Sequence, residues 1–214
     1  MLSITRRRLF AGSAAFGAVA GVFGLRSASA RYYDGPVSDH FDGTRFFDLH
    51  GPAPRTLADQ LRWWREGGRA KWPAWAPSPY SDTPPARVSS DDWRISFVGH
   101  ASFLLQTAGL NILIDPMWSE RASPVSFAGP KRVNDPGIPF DVLPPIDVVL
   151  VSHCHYDHLD VETISRLHAA HRPRVITPLG NDWIIKDYDS SIRTEAFDWH
   201  QRVVLGPNVA LTLI

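Results

Sequence analysis

One largely apolar run, Ile146 to Val151, leads directly into a dense group of polar side chains. Such a run is typical of a strand buried on both faces, so it requires a sheet that is covered on each side. The residues that follow it are Ser152-His153-Cys154-His155-Tyr156-Asp157-His158-Leu159-Asp160. Three histidines and an aspartate therefore leave the sheet together at one strand end.

The segments around this run alternate between short strands and helices, with turn residues at Gly99 and at Ala108-Gly109. Apart from the buried run, strands are predicted at Trp93 to Val98, Ser102 to Thr107, Asn111 to Asp115, Arg174 to Thr177, Ile192 to Phe197, Arg202 to Leu205 and Val209 to Ile214. Helices are predicted from Val161 to His171, with Asp160 as the cap, and around Asp182 to Lys186. This order predicts a layered α/β domain over residues 88–214.

Residues 31–87 are predicted to form an irregular arm, rich in Pro and Trp, that wraps this domain. Five prolines between positions 72 and 85 remove backbone donors and prevent regular structure there. One helix is predicted from its cap Thr56 to Glu66, with Leu57, Leu61 and Trp64 on a buried face.

Four of the eight tryptophans, Trp63, Trp64, Trp72 and Trp75, fall within 13 positions of this arm. The favoured interpretation is that they pack the arm onto the domain. A lipid-facing surface is the alternative, because tryptophan places an apolar body beside a polar N–H group.

The first thirty residues have the pattern of an export signal. Arg6, Arg7 and Arg8 precede an uncharged stretch from Leu9 to Leu25, and small residues at positions 28 and 30 suit a signal peptidase. The paired arginines followed by Leu-Phe resemble a twin-arginine signal and predict an exported, periplasmic protein. An uncleaved membrane anchor is the alternative, although the stretch is short for a span of about 20 residues.

Charge argues against nucleic-acid binding, and the cysteine count excludes two cysteine-based structures. The formal net charge is zero, but four arginines and no acidic residue lie in residues 1–30, which leaves 18 basic and 22 acidic side chains beyond them. That balance argues against a nucleic-acid partner. The single Cys excludes an intramolecular disulfide and a four-cysteine zinc ribbon.

The side chains after the buried run form a candidate metal site. In an extended segment, residues two apart point to the same side, so His153 and His155 aim their imidazoles alike. The tighter turn at Asp157 and His158 aims two further donors at a nearby point. This donor set suits zinc, and also iron or manganese.

The pattern His-x-His-x-Asp-His after an apolar strand, followed by Leu159-Asp160 and a helix, resembles the signature of the metallo-β-lactamase superfamily. The resemblance implies an αββα sandwich with metals at the strand ends, of which these residues would be the N-terminal half to two-thirds. Further motifs look like the branch that contains N-acyl-phosphatidylethanolamine-hydrolysing phospholipase D and sugar-phosphate lactonases. These motifs include Asp39-His40-Phe41-Asp42-Gly43, Gly99-His100-Ala101-Ser102, Ile114-Asp115-Pro116, Gly129-Pro130-Lys131-Arg132 and Asp198-Trp199.

The resemblance implies a centre with two zinc ions. His153 and His155 would hold one ion, and Asp157 and His158 would hold the other. Asp157 would also orient the attacking hydroxide, so Asp157 and His158 are the predicted catalytic residues. Cys154 is expected to pack rather than to bind metal.

Two residues outside the motif are candidates to support the centre. Asp115, at the end of its strand, is expected to fix one of the ligand histidines, unless it only begins the turn with Pro116. His100 is expected to contact substrate phosphate, and a histidine satisfied by backbone is the alternative. His200 is not expected to be a ligand.

The implied function is a zinc-dependent phosphodiesterase of phospholipase D type, acting through metal-activated water on N-acyl-phosphatidylethanolamine-like lipids or another small phosphodiester. Peripheral contact with a membrane is a further expectation. A lactonase or β-lactamase-type hydrolase is the alternative enzyme. An inactive metal-binding fragment is the alternative from another class, because the remaining ligands of the family would fall beyond Ile214 and the last strand halts without a turn or cap, as in a truncated chain.

Overall fold

The computed structural model describes residues 32–52, 56–67 and 71–214, so the predicted export signal, residues 1–30, lies outside the described residues. Contacts along the chain group the residues up to Ala53 in one unit and Pro54 to Ile214 in a second. The predicted boundary between arm and domain at residue 87 stays a prediction. The candidate metal-site residues all lie in the second unit.

The described part of the first unit, residues 32–52, is held by local contacts. Phe41 and Phe46 form an isolated antiparallel bridge with their rings 4.7 Å apart. The carboxylate of Asp42 accepts hydrogen bonds from the backbone N–H groups of Arg45 and Thr44, which lower the pKa of Asp42. Residues 41–46 therefore form a closed turn that contains the last three residues of the motif at positions 39–43.

The described residues of the second unit form three α-helices and eight strands. The helices are α1 (Leu57–Glu66), α2 (Val161–His171) and α3 (Asn181–Tyr188). A six-stranded sheet contains β1 (Arg94–Gly99), β2 (Ser102–Thr107), β3 (Leu110–Ile114), β4 (Val148–Leu150), β5 (Arg174–Pro178) and β6 (Thr194–Phe197) in that order, and a hairpin contains β7 (Arg202–Gly206) and β8 (Val209–Thr212). Every predicted element is confirmed, with bounds shifted by at most two residues.

The direction of the strands decides which connections meet at the candidate site. Strands β1, β2 and β3 pair antiparallel, and β3 to β6 pair parallel. Parallel neighbours have their carboxyl ends at one edge, so Asp115 after β3 and the histidine motif after β4 come together. The turn from β1 to β2 lies at the same edge, because Phe103 at the start of β2 pairs with Ile114 at the end of β3.

Both faces of the six-stranded sheet are covered, as its apolar strands require. On one face Leu113, Val149 and Val175 pack against α2 and α3. On the other face a cluster of Ile112, Val148, Ile176 and Val203 joins the sheet to the β7–β8 hairpin. Helices, sheet and hairpin form three successive layers, in the order that an αββα sandwich implies. The α/β class is therefore confirmed.

Helix α1 begins as predicted but does not bury its apolar side chains. Thr56 and Asp59 form a reciprocal capping box. Leu57 and Leu61, however, are 78% and 65% exposed, so the predicted buried face is wrong for these two residues. Helical spacing shows which side chains share a face, and it does not show what covers that face.

Three tryptophans of the arm are exposed too, and the side chain of Trp64 lies outside the described residues. Trp63, Trp72 and Trp75 all rank among the exposed large hydrophobic residues of the described chain. The favoured interpretation, that they pack the arm onto the domain, is therefore wrong for these three. Residues 76–90 are attached by other groups.

Backbone hydrogen bonds and two arginine–aspartate pairs hold residues 76–90 against the sheet and its loops. The backbone N–H of Asp82 donates to the carbonyl of Gly137 at 2.8 Å. Arg94 donates two hydrogen bonds to the Asp82 carboxylate, at 2.7 and 2.9 Å. Arg87 forms the equivalent pair with Asp147.

Candidate metal centre

The first group of donors consists of His153 and His155. Nε2 of His153 lies 3.0 Å from Nδ1 of His155. Two nitrogens bound to one tetrahedral zinc at about 2.0–2.1 Å stand about 3.3 Å apart. The observed separation is close to that value, so these two nitrogens are placed to share one cation.

The second group consists of Asp157, His158 and His100. Oδ2 of Asp157 lies 3.9 Å from Nε2 of His158 and 2.8 Å from Nε2 of His100. One ligand atom from each of the three residues lies within 4.8 Å of the other two. The structure therefore brings all four predicted ligands to one edge of the sheet, with the ring centroids of His153 and His158 4.0 Å apart, and places His100 beside Asp157. The division of these ligands between two ions stays a prediction.

Sequence reasoning gave His100 a different partner. The expected contacts were substrate phosphate or the backbone, whereas its Nε2 faces the Asp157 carboxylate. The motif offered no sign of this, because 57 positions separate the two residues. Pairing of β2 with β3 is the feature that would have indicated it, since this pairing brings the Gly99–His100 turn to the edge occupied by the histidine motif.

Asp115 contacts one of the predicted ligand histidines, His158. That it fixes this ring as a metal ligand stays a prediction. Its buried carboxylate, 4% exposed, has Oδ2 2.8 Å from Nδ1 of His158. The backbone N–H of Ser152 donates to Oδ1, and the Ser152 hydroxyl donates to Oδ2. With Nδ1 engaged, His158 is left with Nε2 to offer to a cation.

Ser152 is a residue of the candidate centre that sequence reasoning missed. Its Oγ lies 2.9 Å from Nδ1 of His153, so it occupies the ring nitrogen that does not face His155. Asp115 has a φ of 44°, a left-handed conformation that is sparsely populated by non-glycine residues. Backbone conformations of this kind are concentrated at functional sites, where the surroundings hold them in place.

The local electrostatics favour the protonation states that bind metal. Burial, together with the neighbouring His158 and His155, lowers the pKa of His153. Burial raises the pKa of Asp157, but hydrogen bonds from its own backbone and from His100 outweigh this and leave it below its usual range. Metal ligation requires neutral imidazole and ionised carboxylate, so these residues fit a divalent cation.

Two neighbouring residues lie outside this donor group. Cys154 is exposed, so the expectation that it packs is wrong. His200 is exposed as well, and its backbone N–H donates to the carbonyl of Leu213 at 2.8 Å. The metal-ligand cluster found in the described chain holds neither residue, and it does not include His153 or His155.

Comparison with known families shows which protein family the chain matches. The family described as Beta-lactamase superfamily domain matches residues 110–214, a range that contains the His-x-His-x-Asp-His motif. The chain belongs to the metallo-β-lactamase superfamily. The layered α/β fold is therefore that of this superfamily.

Three similar proteins extend the comparison. An uncharacterised protein of Mycobacterium tuberculosis is 32% identical over 197 residues, which cover 91% of this chain and 52% of that protein. N-acyl-phosphatidylethanolamine-hydrolyzing phospholipase D 1 of Caenorhabditis elegans is 39% identical over 93 residues, 41% of this chain and 26% of that protein. A metal-dependent hydrolase of Aeropyrum pernix is 35% identical over 66 residues, 31% of this chain and 22% of that protein. The chain spans about half the length of the mycobacterial relative.

Proposed function

We propose that this protein is a zinc-dependent hydrolase that cleaves a phosphodiester bond in lipids resembling N-acyl-phosphatidylethanolamine. The observation that carries the proposal is the convergence of His153, His155, Asp157 and His158 at one edge of the sheet. Similarity to a phospholipase D named for that lipid supports the choice of substrate. Similarity to a protein named as a metal-dependent hydrolase supports the reaction class.

In this proposal each residue has a separate task. His153 and His155 hold one ion, and Asp157 and His158 hold a second. Bound divalent ions supply an activated water and offset the negative charge that develops on substrate oxygens. Ser152 and Asp115 keep the ligand nitrogens turned inward by engaging Nδ1 of His153 and of His158. Asp157 orients the attacking water.

A panel of substrates tests the proposal. The purified protein, loaded with zinc, is assayed with bis(p-nitrophenyl) phosphate, an N-acylated phosphatidylethanolamine, a lactone and nitrocefin. We expect hydrolysis of both phosphodiesters, loss of activity on chelation and recovery with zinc. His155→Ala should abolish turnover, whereas His50→Ala, which changes an exposed histidine of the first unit, should not. Turnover of the lactone or nitrocefin alone would replace the phosphodiesterase with the alternative enzyme.

An exposed apolar and basic surface supports the proposal of peripheral membrane contact. The exposed apolar side chains of this part of the chain are Leu57, Leu61, Trp63, Trp72 and Trp75, and the proposal takes them together as the lipid-facing surface. The segment from position 55 to 75 carries five basic and two acidic side chains. Apolar side chains beside basic ones bind anionic bilayers.

Sedimentation with vesicles tests this contact. Vesicles of phosphatidylglycerol and phosphatidylcholine should pull down the protein more strongly than phosphatidylcholine alone. Joint substitution Trp72→Ser and Trp75→Ser should reduce the bound fraction, and Trp183→Ser, an exposed tryptophan on α3, is the matched control. Equal binding by all three proteins would refute the lipid-facing surface.

Export by the twin-arginine route is proposed from sequence alone. In the part of the chain that the structure describes, no helix has the length and apolar character needed to cross a bilayer. Joint substitution Arg6→Lys and Arg7→Lys should remove the protein from the periplasmic fraction, and Arg26→Lys should leave it there. Export of the doubly substituted protein at the normal level would contradict the route.

A further inference from the structure

We propose that Arg132 binds the phosphodiester group of the substrate beside the candidate metal centre, with its Nη1 atom donating to an anionic oxygen. The inference rests on the proposed function and names a residue that recognises the charge of the substrate. Arg132 is half-buried at the end of the Gly129-Pro130-Lys131-Arg132 motif, and its side chain lies against the turn that carries His100. A guanidinium group suits a phosphate group because it is always charged and directs its N–H groups at oxygen.

The positive charge of Arg132 has no carboxylate in contact with it. Elsewhere in the second unit, Arg87 and Arg94 each form an ion pair with an aspartate. Arg132 forms no ion pair of this kind with any residue that the structure describes. Burial lowers the pKa of its guanidinium group, and the more distant charges of Asp160 and Asp135 counter this only in part. An anionic ligand supplies the contact that the protein does not.

The three nitrogens of this guanidinium group differ in their contacts. Nη2 donates to the carbonyl of Met117 at 2.6 Å. Nε is buried and has no hydrogen-bond partner, although buried polar atoms in native proteins nearly always have one. Nη1 makes no hydrogen bond within the described chain and, unlike Nε, is not buried. Nη1 is therefore the donor that a ligand can reach from solvent.

Gly99 keeps the space beside Nη1 free of a side chain. Any other residue at position 99 would place its Cβ 3.5 Å from Nη1, in contact with it. The φ of 147° at Gly99 also disfavours residues other than glycine. The next residue, His100, has Nε2 2.8 Å from the Asp157 carboxylate. Nη1 therefore lies beside the same turn that reaches the predicted metal ligands.

The loop between β3 and β4 holds Arg132 in a fixed position. The backbone N–H of Arg132 donates to the carbonyl of Glu120 at 2.8 Å. The adjacent Ser119 donates from its N–H and its hydroxyl to the Asp160 carboxylate, at 2.9 and 2.8 Å. Asp160 comes two residues after the histidine motif, so the loop is tied to the segment that carries the predicted ligands. A donor held in place in this way loses less freedom when the ligand binds.

Binding of an unreactive phosphodiester tests the assignment. The full protein, loaded with zinc, is titrated with diethyl phosphate, which is an anion, and with its neutral counterpart triethyl phosphate. Phosphorus-31 NMR of each ligand gives the affinity, and zinc content is measured in every protein. Arg132→Gln removes the charge, and Arg132→Lys keeps it. Arg121→Gln is the matched control, because Arg121 lies in the same loop and also donates to a backbone carbonyl, that of Gly129.

We expect Arg132→Gln to weaken binding of diethyl phosphate by at least about tenfold, because it removes a hydrogen bond between charged groups. Its affinity for triethyl phosphate and its zinc content should not change. Arg132→Lys should recover part of the lost affinity, and Arg121→Gln should bind both ligands as the unsubstituted protein does. With bis(p-nitrophenyl) phosphate as substrate, Arg132→Gln should raise KM by a similar factor, with a smaller effect on kcat.

Results of two kinds overturn the inference. Unchanged affinity of Arg132→Gln for diethyl phosphate would show that Arg132 only ties the loop to the Met117 carbonyl, and hydrolysis of the phosphodiesters would then leave the proposed function standing. Equal losses for the anionic and the neutral ligand, or a lower zinc content in Arg132→Gln, would assign Arg132 a structural role. If the affinity falls as expected but neither phosphodiester is hydrolysed, the anion site stands and the proposed function falls.

Discussion

At the scale of the residue, the candidate centre depends on groups that hydrogen-bond to Nδ1 of two of its histidines. Asp115 engages His158, and Ser152 engages His153, so each ring has one nitrogen fixed and the other presented. Such supporting partners orient the ring and raise its basicity as a ligand. Removing a supporting group should therefore weaken metal binding while every ligand remains in place.

The substitution Asp115→Asn tests this dependence. Asn keeps the shape of the side chain and tolerates the left-handed backbone at this position, but it removes the negative charge beside His158. We expect ion affinity at the Asp157–His158 pair to fall by about 10–100-fold. Chelator competition measures the change, with Asp187→Asn on the exposed surface of α3 as the control. Unchanged affinity in Asp115→Asn would contradict a supporting role.

Sequence reasoning identified the residues that are close in the chain and missed one that is close only in space. His153, His155, Asp157 and His158 were predicted because their spacing is itself the signal. Asp115 was predicted because it ends a strand beside the motif. The approach of His100 to Asp157 depends on which strands pair, and a linear motif carries no information about pairing.

At the scale of the element, helices with similar sequence patterns differ in what covers them. Leu167 in α2 is fully buried in the core cluster beneath the sheet, whereas Leu61 in α1 is 65% exposed. The capping signals predicted the start of both helices correctly. Only tertiary packing distinguishes a covered face from an open one, so the periodicity of α1 gave a wrong burial.

This contrast gives a stability prediction. Leu167→Ala should lower the free energy of unfolding by about 2–5 kcal/mol, because it removes buried methyl groups and leaves a cavity. Leu61→Ala should change it by less than about 0.5 kcal/mol, as is usual for exposed positions. Urea denaturation of the two variants measures the difference. Equal losses of unfolding free energy in the two variants would contradict the exposed position of Leu61.

The attachment of the arm to β1 should depend on pH. Hydrogen bonds from Arg94, and then from Ser96, lower the pKa of Asp82 to about 2. Because the carboxyl is more acidic in the folded protein, its stabilisation is complete above its ordinary pKa near 4 and is lost as the pH falls toward 2.

Asp82→Asn should therefore cost about 1–2 kcal/mol at pH 6, after allowance for solvent screening, and progressively less at lower pH. Urea denaturation between pH 6 and pH 3 measures the difference from the unsubstituted protein. Asp141→Asn, which changes an exposed aspartate in the short 3₁₀ helix Phe140–Val142, is the control. A deficit that stays constant over this range would contradict the assigned pKa.

At the scale of the whole molecule, strand direction explains why the donors meet. The parallel pairing of β3 with β4 places Asp115 beside the histidine motif, and the antiparallel β1–β2 turn returns His100 to the same edge. Helices cover one face of the sheet and the β7–β8 hairpin covers the other. The core therefore holds the donor-bearing connections at one fixed edge of the sheet.

Anomalous diffraction at the zinc absorption edge, from crystals grown with zinc, tests the central claim most directly. We predict a peak about 2.0–2.2 Å from Nε2 of His153 and Nδ1 of His155, and a second at the same range from the Asp157 carboxylate and Nε2 of His158. A map without either peak, or with zinc only at surface histidines such as His200, would contradict the metal centre.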